Sequence, residues 1–404
     1  MRRPARAGHR PRLRLFAVDD QSVQVTWAAL PVREVSFEIA GQIFEVDAAR
    51  PDWYRVTAGR TPPAQMGGPG ALTVEGLEPA TTYEVLISGP GRPRQLAATV
   101  RTAPLAPVGR AVFRFATISD MHVGERHLGP TRRLHDPRPR PAELEPYALR
   151  TTTAAIAEAR AWGAELLVVK GDLTYAARPS EAATVADALA GANIPVHAIL
   201  GNHDVRGRAD VAAVLAERGI AVHRHADQLD VPALRLLFGH TPVPGLHGGR
   251  LAEAHARELA QLAGDADGPV ALIMHHPPRR LPVQTYYPPS ISWRDSNLLL
   301  HGLSARNRAA LMLAGHTHRN RLYRTRGVTV AEVGSTKDYP GQWAGYTVYE
   351  RGIRQVVRRT ARPDVIAWTE MTSRAVFGVW GWWSPGRLRD RCWVLEWPDR
   401  LIRR

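Results

Sequence analysis

Apolar positions alternate with polar ones in the first hundred residues. Val23, Val25 and Trp27 alternate with Gln24 and Thr26, and Val35, Phe37 and Ile39 repeat the period. A period of two predicts half-buried strands, so residues 11–103 read as a small all-β domain. The stretch Thr102–Gly109 holds two prolines and ends on glycine, the composition of a linker. Beyond it the period changes. Apolar runs at Val112–Ile118, Glu165–Val169, Pro195–Leu200, Leu234–Phe238, Val270–Met274, Ala309–Leu313 and Val328–Val333 predict strands, with Tyr346–Tyr349 closing the sheet region. Helical spacing fits Ala148–Trp162, Ser180–Ala190, Ala209–Arg218 and Leu251–Leu262. Strands alternating with helices predict an α/β layered domain over residues 110–350. Residues 351–404 are left as an Arg- and Trp-rich C-terminal extension.

Composition narrows the class. With 404 residues, 44% hydrophobic and 23% charged, the chain is long and apolar enough for two or three packed domains. No apolar run reaches the roughly 18 residues of a membrane span. Met1–Phe16 is arginine-rich without an apolar core, so a cytoplasmic protein is expected. A single cysteine, Cys392, excludes a disulfide framework and a cysteine-based zinc site.

The net charge of +15 first suggests nucleic acid, but its distribution argues otherwise. Residues 1–14 carry six Arg and no acid, and residues 351–404 carry twelve Arg against five acids, leaving about +2 for residues 15–350. A near-neutral middle lacks the basic track that long nucleic acids favour. Six of the eleven tryptophans lie in the C-terminal extension. Trp beside Arg suits contact with an anionic membrane surface, and it equally suits an appendage packed on the main domain. Oligomeric state is not legible.

The chemistry-bearing residues follow the predicted strands directly. Ser119-Asp120-Met121-His122, Gly171-Asp172, Gly201-Asn202-His203-Asp204, His275-His276-Pro277-Pro278 and Gly315-His316-Thr317-His318 each stand at a strand's carboxyl end. In open α/β sheets ligands bind beyond those ends. Asp, His and Asn without Cys suit hard or borderline divalent metals. The i, i+2 spacing of Asp120 and His122 is expected to place both side chains on one side of an extended strand end. Glycines at 171, 201 and 315 permit close backbone approach.

The order of these five clusters resembles the calcineurin-like metallophosphoesterase superfamily. The resemblance implies a four-layer αββα β-sandwich flanked by helices. It also implies two divalent ions, Mn, Fe or Zn. The first would be held by Asp120, His122, Asp172 and His318, the second by Asp172, Asn202, His275 and His316, with Asp172 bridging. A ligand His two residues before a proline selects His275 over His276. His203 would be catalytic, contacting the phosphoryl group or protonating the leaving oxygen, with Asp204 orienting its imidazole. The implied reaction is hydrolysis of a small phosphate monoester or diester by a metal-bridging hydroxide. Loops His240–His247 and Pro282–Asn297 are expected to set selectivity, with Tyr286, Tyr287 and Trp293 either stacking on substrate or anchoring the loop.

The N-terminal segment resembles a fibronectin type III module, an immunoglobulin-like sandwich. It carries Trp27 on an early strand and Gly76-Leu-Glu-Pro-Ala-Thr-Thr-Tyr83, which is similar to the turn before a tyrosine corner. Gly171-Asp-Leu-Thr-Tyr175 is similar to a purple acid phosphatase motif, and those enzymes also carry an N-terminal β-sandwich. His122 departs from that pattern and makes Tyr175 a neighbour of the metals instead of a ligand. A peripheral membrane enzyme of lipid-linked phosphoester metabolism and a purple acid phosphatase-like enzyme remain the alternative readings.

Overall fold

The computed structural model describes residues 12–49, 66–125 and 147–398. The arginine-rich start up to residue 11 and the last six residues lie outside them. The chain divides into two units. One runs to Leu105 and takes in Ala361–Met371; the other comprises Ala106–Thr360 and the chain from Thr372.

In the first unit, β1 (Arg14–Val18), β2 (Val23–Trp27) and β5 (Gly70–Val74) form one antiparallel sheet in the order β1-β2-β5. A second antiparallel sheet has the order β4-β3-β6-β7, from β3 (Glu34–Ile39), β4 (Gln42–Asp47), β6 (Thr82–Gly89) and β7 (Arg92–Arg101). The alternation predicted for β3 is present, with Val35, Phe37 and Ile39 buried. In β2 every residue is buried, the polar Gln24 and Thr26 included. Gln24 hydrogen-bonds Thr73 across the sheet at 3.1 Å, which offsets its burial. Trp27 stacks on Phe37 with centroids 4.9 Å apart, joining the two sheets in one core. The Tyr83 hydroxyl accepts the Glu78 N–H at 2.9 Å and ties the β5–β6 connection to its strand.

The second unit contains two larger sheets. The first has the order β11-β10-β9-β8-β18-β19-β20. Its parallel half is β8 (Ala111–Ile118), β9 (Leu166–Lys170), β10 (Val196–Ile199) and β11 (Ala221–His223). Its antiparallel half is β18 (Gln342–Tyr349), β19 (Gly352–Arg359) and β20 (Cys392–Glu396). The second sheet has the order β12-β13-β14-β15-β17-β16. Parallel β13 (Leu234–Gly239), β14 (Val270–Met274), β15 (Ala310–Ala314) and β17 (Val328–Glu332) are flanked by antiparallel edges β12 (Asp227–Val231) and β16 (Arg321–Thr325).

Helices α1 (Tyr147–Ala161), α2 (Pro179–Ala190) and α3 (Val211–Ala216) pack on the first sheet. Helices α4 (Glu253–Gly264) and α5 (Trp293–Arg306) pack on the second. The remaining sheet faces meet: the His223 ring stacks on Phe238 at 3.7 Å, and Lys170 Nζ donates to the Ala314 carbonyl at 2.8 Å. The architecture is therefore the expected four layers, helix–sheet–sheet–helix. Strands covered on both faces read as unbroken apolar runs, which explains the fully buried β9, β14 and β15.

Three parts differ from expectation. The boundary placed at 350 falls inside a hairpin, because β18 and β19 pair from Gln342–Arg359 to Tyr349–Gly352. The described part of the expected extension is thus no separate appendage: β19 and β20 complete the first sheet, and Trp393 and Trp397 are buried. The loop expected at Pro282–Asn297 ends in α5, whose N-cap Ser292 accepts from the Asp295 N–H. Short β11 and polar β12 and β16 carry too little period to be read. No helix among the described residues is long and apolar enough to cross a membrane. Replacing Tyr83 by Phe removes the acceptor for Glu78, and a loss of about 0.5–1.5 kcal/mol is expected in urea unfolding of the full chain. An unchanged midpoint would show that the corner bond contributes nothing.

Candidate metal centre

The five predicted clusters converge. Asp120, His122 and His318 bring ligand-type atoms within 4.8 Å of one another, as do Asp120, Asp172 and His275, and also His122, Asp172 and His203. His275 and His316 join through the pair of ring nitrogens that face at 3.2 Å. Apart from His203 and His318, which are partly covered, these residues are buried.

The backbone reaches this arrangement by an irregular path. Asp120, His122, Asp172, His316 and His318 have φ of 55°, 46°, 52°, 69° and 51°, the left-handed region that L side chains avoid. The extended strand end expected for Asp120 and His122 is therefore absent. β8 stops at Ile118, and two left-handed residues turn both side chains to one side. Five such residues each cost about 1 kcal/mol or more, a strain characteristic of functional sites. Glycine is required at 201 for space, since a Cβ there would lie 2.1 Å from Asp172 Oδ1. At 171 both space and φ demand it: a Cβ would lie 2.6 Å from His275 Nδ1, and φ is 89°.

Hydrogen bonds fix how the rings point. A carbonyl only accepts, so a ring nitrogen bonded to one carries the proton. His275 Nδ1 donates to the Lys170 carbonyl at 2.8 Å, and His316 Nε2 donates to the Pro289 carbonyl at 3.0 Å. In their neutral forms both facing nitrogens, His275 Nε2 and His316 Nδ1, are bare lone pairs. His318 Nδ1 donates to Asp338 at 2.8 Å, aiming Nε2 at Asp120 Oδ1, 3.4 Å away. His122 Nε2 lies 3.4 Å from Asp172 Oδ2, and neither of its ring nitrogens has a hydrogen-bond partner. Asn202 Oδ1 is likewise buried and unpartnered. Lone pairs aimed at lone pairs repel unless a positive charge lies between them.

The electrostatics carry the same message. Burial opposes charge on His275, yet Asp172 and then Asp120 raise its pKa to about 9. Burial also opposes charge on His318, yet Asp338 and Asp120 raise it to about 10. Asp120 and Asp172 sit below the usual carboxylate range despite burial, held there by these histidines. Two carboxylates thus draw positive charge into a dry site. Burial, then His275, pushes His316 down to about 3, and burial, then His203 and Lys337, pushes His122 well down. Neutral imidazole is the ligating form. The residues fit divalent cations.

His276 lies within ligand distance of His275 and His316, but both its ring nitrogens already have hydrogen-bond partners. Its Nδ1 bonds Thr241 at 2.8 Å and its Nε2 bonds the His247 carbonyl at 3.3 Å. Asp204 does not orient His203, contrary to expectation. Its oxygens accept from the Gly201, Leu173 and Thr174 backbone N–H groups at 2.8–3.1 Å and from the Thr174 hydroxyl. Burial, then Asp172, raises its pKa to about 6. His203 is instead held by the Tyr175 carbonyl, 2.7 Å from Nδ1, so Tyr175 acts through its backbone. Its Nε2 stays free, with the ring 4.2 Å from that of His122. Sequence reasoning missed Asp338 and Lys337, which stand in no motif. Buried Lys337 contacts Glu125 and lies 3.5 Å from Asp338. Of the loop aromatics, Tyr286 bonds Ser290 and anchors its loop, while Tyr287 is exposed.

Residues 113–320 match the model of the calcineurin-like phosphoesterases. The chain belongs to this family. Among curated relatives, a probable cyclic nucleotide phosphodiesterase of Psychrobacter sp. is 25% identical over 178 residues, 43% of this chain and 52% of that protein. The glycerophosphodiester phosphodiesterase GpdQ of Enterobacter lignolyticus is 27% identical over 175 residues, 43% of this chain and 62% of its own. The chain thus spans roughly half to three-fifths of these relatives. The purple acid phosphatase PPD1 of yellow lupin aligns with 98% of this chain and 75% of its own at 14% identity and a TM-score of 0.46, too loose a likeness to carry an argument.

The Asp338 carboxylate fixes the His318 ring, with Nε2 3.4 Å from Asp120 Oδ1. Asp338→Ala is expected to weaken divalent-metal affinity by about 10–100-fold in a chelator-competition titration. Asp338→Asn, which keeps an acceptor, should fall between. Wild-type affinity in the folded alanine variant would remove Asp338 from the site.

Proposed function

We propose that this chain is a binuclear metal-dependent phosphoesterase that hydrolyses small phosphodiesters. The observation that carries the reading is the buried cluster of converging donors, above all His275 Nε2 facing His316 Nδ1 at 3.2 Å and Asp172 Oδ2 at 3.3 Å. Asp120, His122, Asp172 and His318 would hold one divalent ion, and Asp172, Asn202, His275 and His316 the other. Asp172 is suited to share both, because its Oδ2 faces His122 at 3.4 Å and His275 at 3.3 Å. Imidazole and carboxylate oxygen suit Mn, Fe(II) or Zn. When bound, such ions supply Lewis acidity at the phosphoryl group and acidify a water as the nucleophile. Two carboxylates against two divalent charges leave the centre positive, which favours an anionic ester. The phosphodiesterase names of both curated relatives support a diester over a monoester.

The remaining residues follow from their bonds. The His203 backbone N–H donates to Asp172 Oδ1 at 2.8 Å and fixes that carboxylate. Its side chain, anchored at Nδ1, presents Nε2 to the cluster as the group that donates a hydrogen bond or a proton to the leaving oxygen. Asp204 gathers the backbone of two loops, keeping Asp172 and Asn202 in register.

The test is turnover of bis(p-nitrophenyl) phosphate against p-nitrophenyl phosphate by metal-loaded protein, with the diester expected to be preferred. His203→Ala retains the backbone N–H, so metal content should persist while kcat falls by about 10²–10⁴-fold. The loss should shrink for substrates with good leaving groups, which need no proton. Equal losses for aryl and alkyl esters would make His203 a phosphate clamp. Turnover of neither ester by the metal-loaded wild type would overturn the proposed reaction.

A further inference from the structure

A second group of cations borders the cluster. Arg279 and Arg280 follow His275-His276-Pro277-Pro278, and Arg319 and Arg321 follow His318. They come from the loops that carry two of the ligand histidines. Aromatic rings hold three of these side chains. Arg280 and Arg321 place their guanidinium carbons 5.1 Å and 4.7 Å from the Tyr323 ring centroid, and Arg319 lies 4.8 Å from that of Trp383. Stacking fixes a guanidinium plane and leaves its edge donors unused.

The local carboxylates do not use those donors. Glu332 is buried here, and its Oε2 accepts the Thr317 hydroxyl at 2.8 Å. Glu332 and the more distant Asp390 contribute to the field at Arg319, and Glu332 to that at Arg321, without a close ion pair to either. Arg279 Nε and Arg319 Nε are buried with no hydrogen-bond partner. Buried guanidinium donors left unpaired are costly, and an anion with free lone pairs is the partner that would satisfy them. The patch is bound to the metal cluster: Thr317 lies between His316 and His318, and Tyr286 and Ser290 bracket the Pro289 carbonyl that orients His316.

We propose that Arg279, Arg280, Arg319 and Arg321 form an anion subsite beside the metal centre, selecting phosphoesters that carry a second anionic group, a phosphate or a carboxylate. The inference rests on the metal-centre reading for the position of the first phosphoryl group. Fork-shaped donors in a partly dry patch suit either planar carboxylate or tetrahedral phosphate.

The test uses three non-hydrolysable probes of equal length: propylphosphonate, its ω-carboxylate analogue and its ω-phosphonate analogue. Each is titrated calorimetrically into metal-loaded wild type and into Arg280→Ala/Arg321→Ala. Against wild type, at least one ω-anionic probe should bind about 10-fold or more tightly than propylphosphonate, and the better of the two identifies phosphate or carboxylate. In the double variant the ratio should fall to about one, with the double Lys variant between. Should the double variant misfold, exposed Arg280→Gln carries the same comparison with a smaller loss of ratio. Equal binding of all three probes by wild type, or an unchanged ratio in the variant, overturns the subsite and leaves the metal reading standing. Binding of the ω-anionic probes that is as tight in metal-free as in metal-loaded protein overturns the metal reading instead, and binding of none overturns both.

Discussion

Two buried carboxylates, Asp120 and Asp172, need positive charge beside them in a dry site, and the rest of this structure follows from that requirement. His275 Nε2 and His316 Nδ1 are turned together because carbonyls at Lys170 and Pro289 hold their other nitrogens. The same logic runs through His318, held by Asp338 and aimed at Asp120. Protons on His275 and His318 offset the two carboxylates when no metal is bound, which is why both rings are driven basic. Divalent ions would take over that charge and release the protons.

The fold supplies rigidity and accepts strain. Strands covered on both faces hold the loops that follow them, so five left-handed residues of the cluster persist against their intrinsic preference. The buried supports are shared. Lys170 offers its carbonyl to His275 and its ammonium to the Ala314 carbonyl beside the 315–318 loop. Asp204 clamps the 171–175 and 201–204 loops through backbone donors. Losing either support would disturb more than one residue of the cluster.

Much of this was legible in the sequence. The apolar runs marked the parallel strands, and each polar motif stood at a run's end, so the gathering of Asp120, His122, Asp172, His275, His316 and His318 was foreseen. The supports were not, because they are backbone carbonyls or solitary residues such as Asp338. Asp204 was misjudged because adjacency to His203 in the chain says nothing about where its oxygens point. The C-terminal strands were hidden by arginine. β19 reads Gly-Ile-Arg-Gln-Val-Val-Arg-Arg yet is buried throughout. Arg358 lies between Trp162 and Trp343, at 5.3 Å and 5.5 Å, and Arg359 over Tyr339 at 5.0 Å. Aromatic faces cover those charges, and a polarity pattern cannot show that.

The most direct test of the cation requirement is the metal stoichiometry of purified protein, by mass spectrometry after equilibration with Mn, Fe(II) or Zn, beside Asp172→Asn. Two divalent ions per wild-type chain, with both sites weakened in the variant, is the predicted result. A folded wild-type chain that binds no divalent ion, or a variant that keeps two at unchanged affinity, would contradict the account.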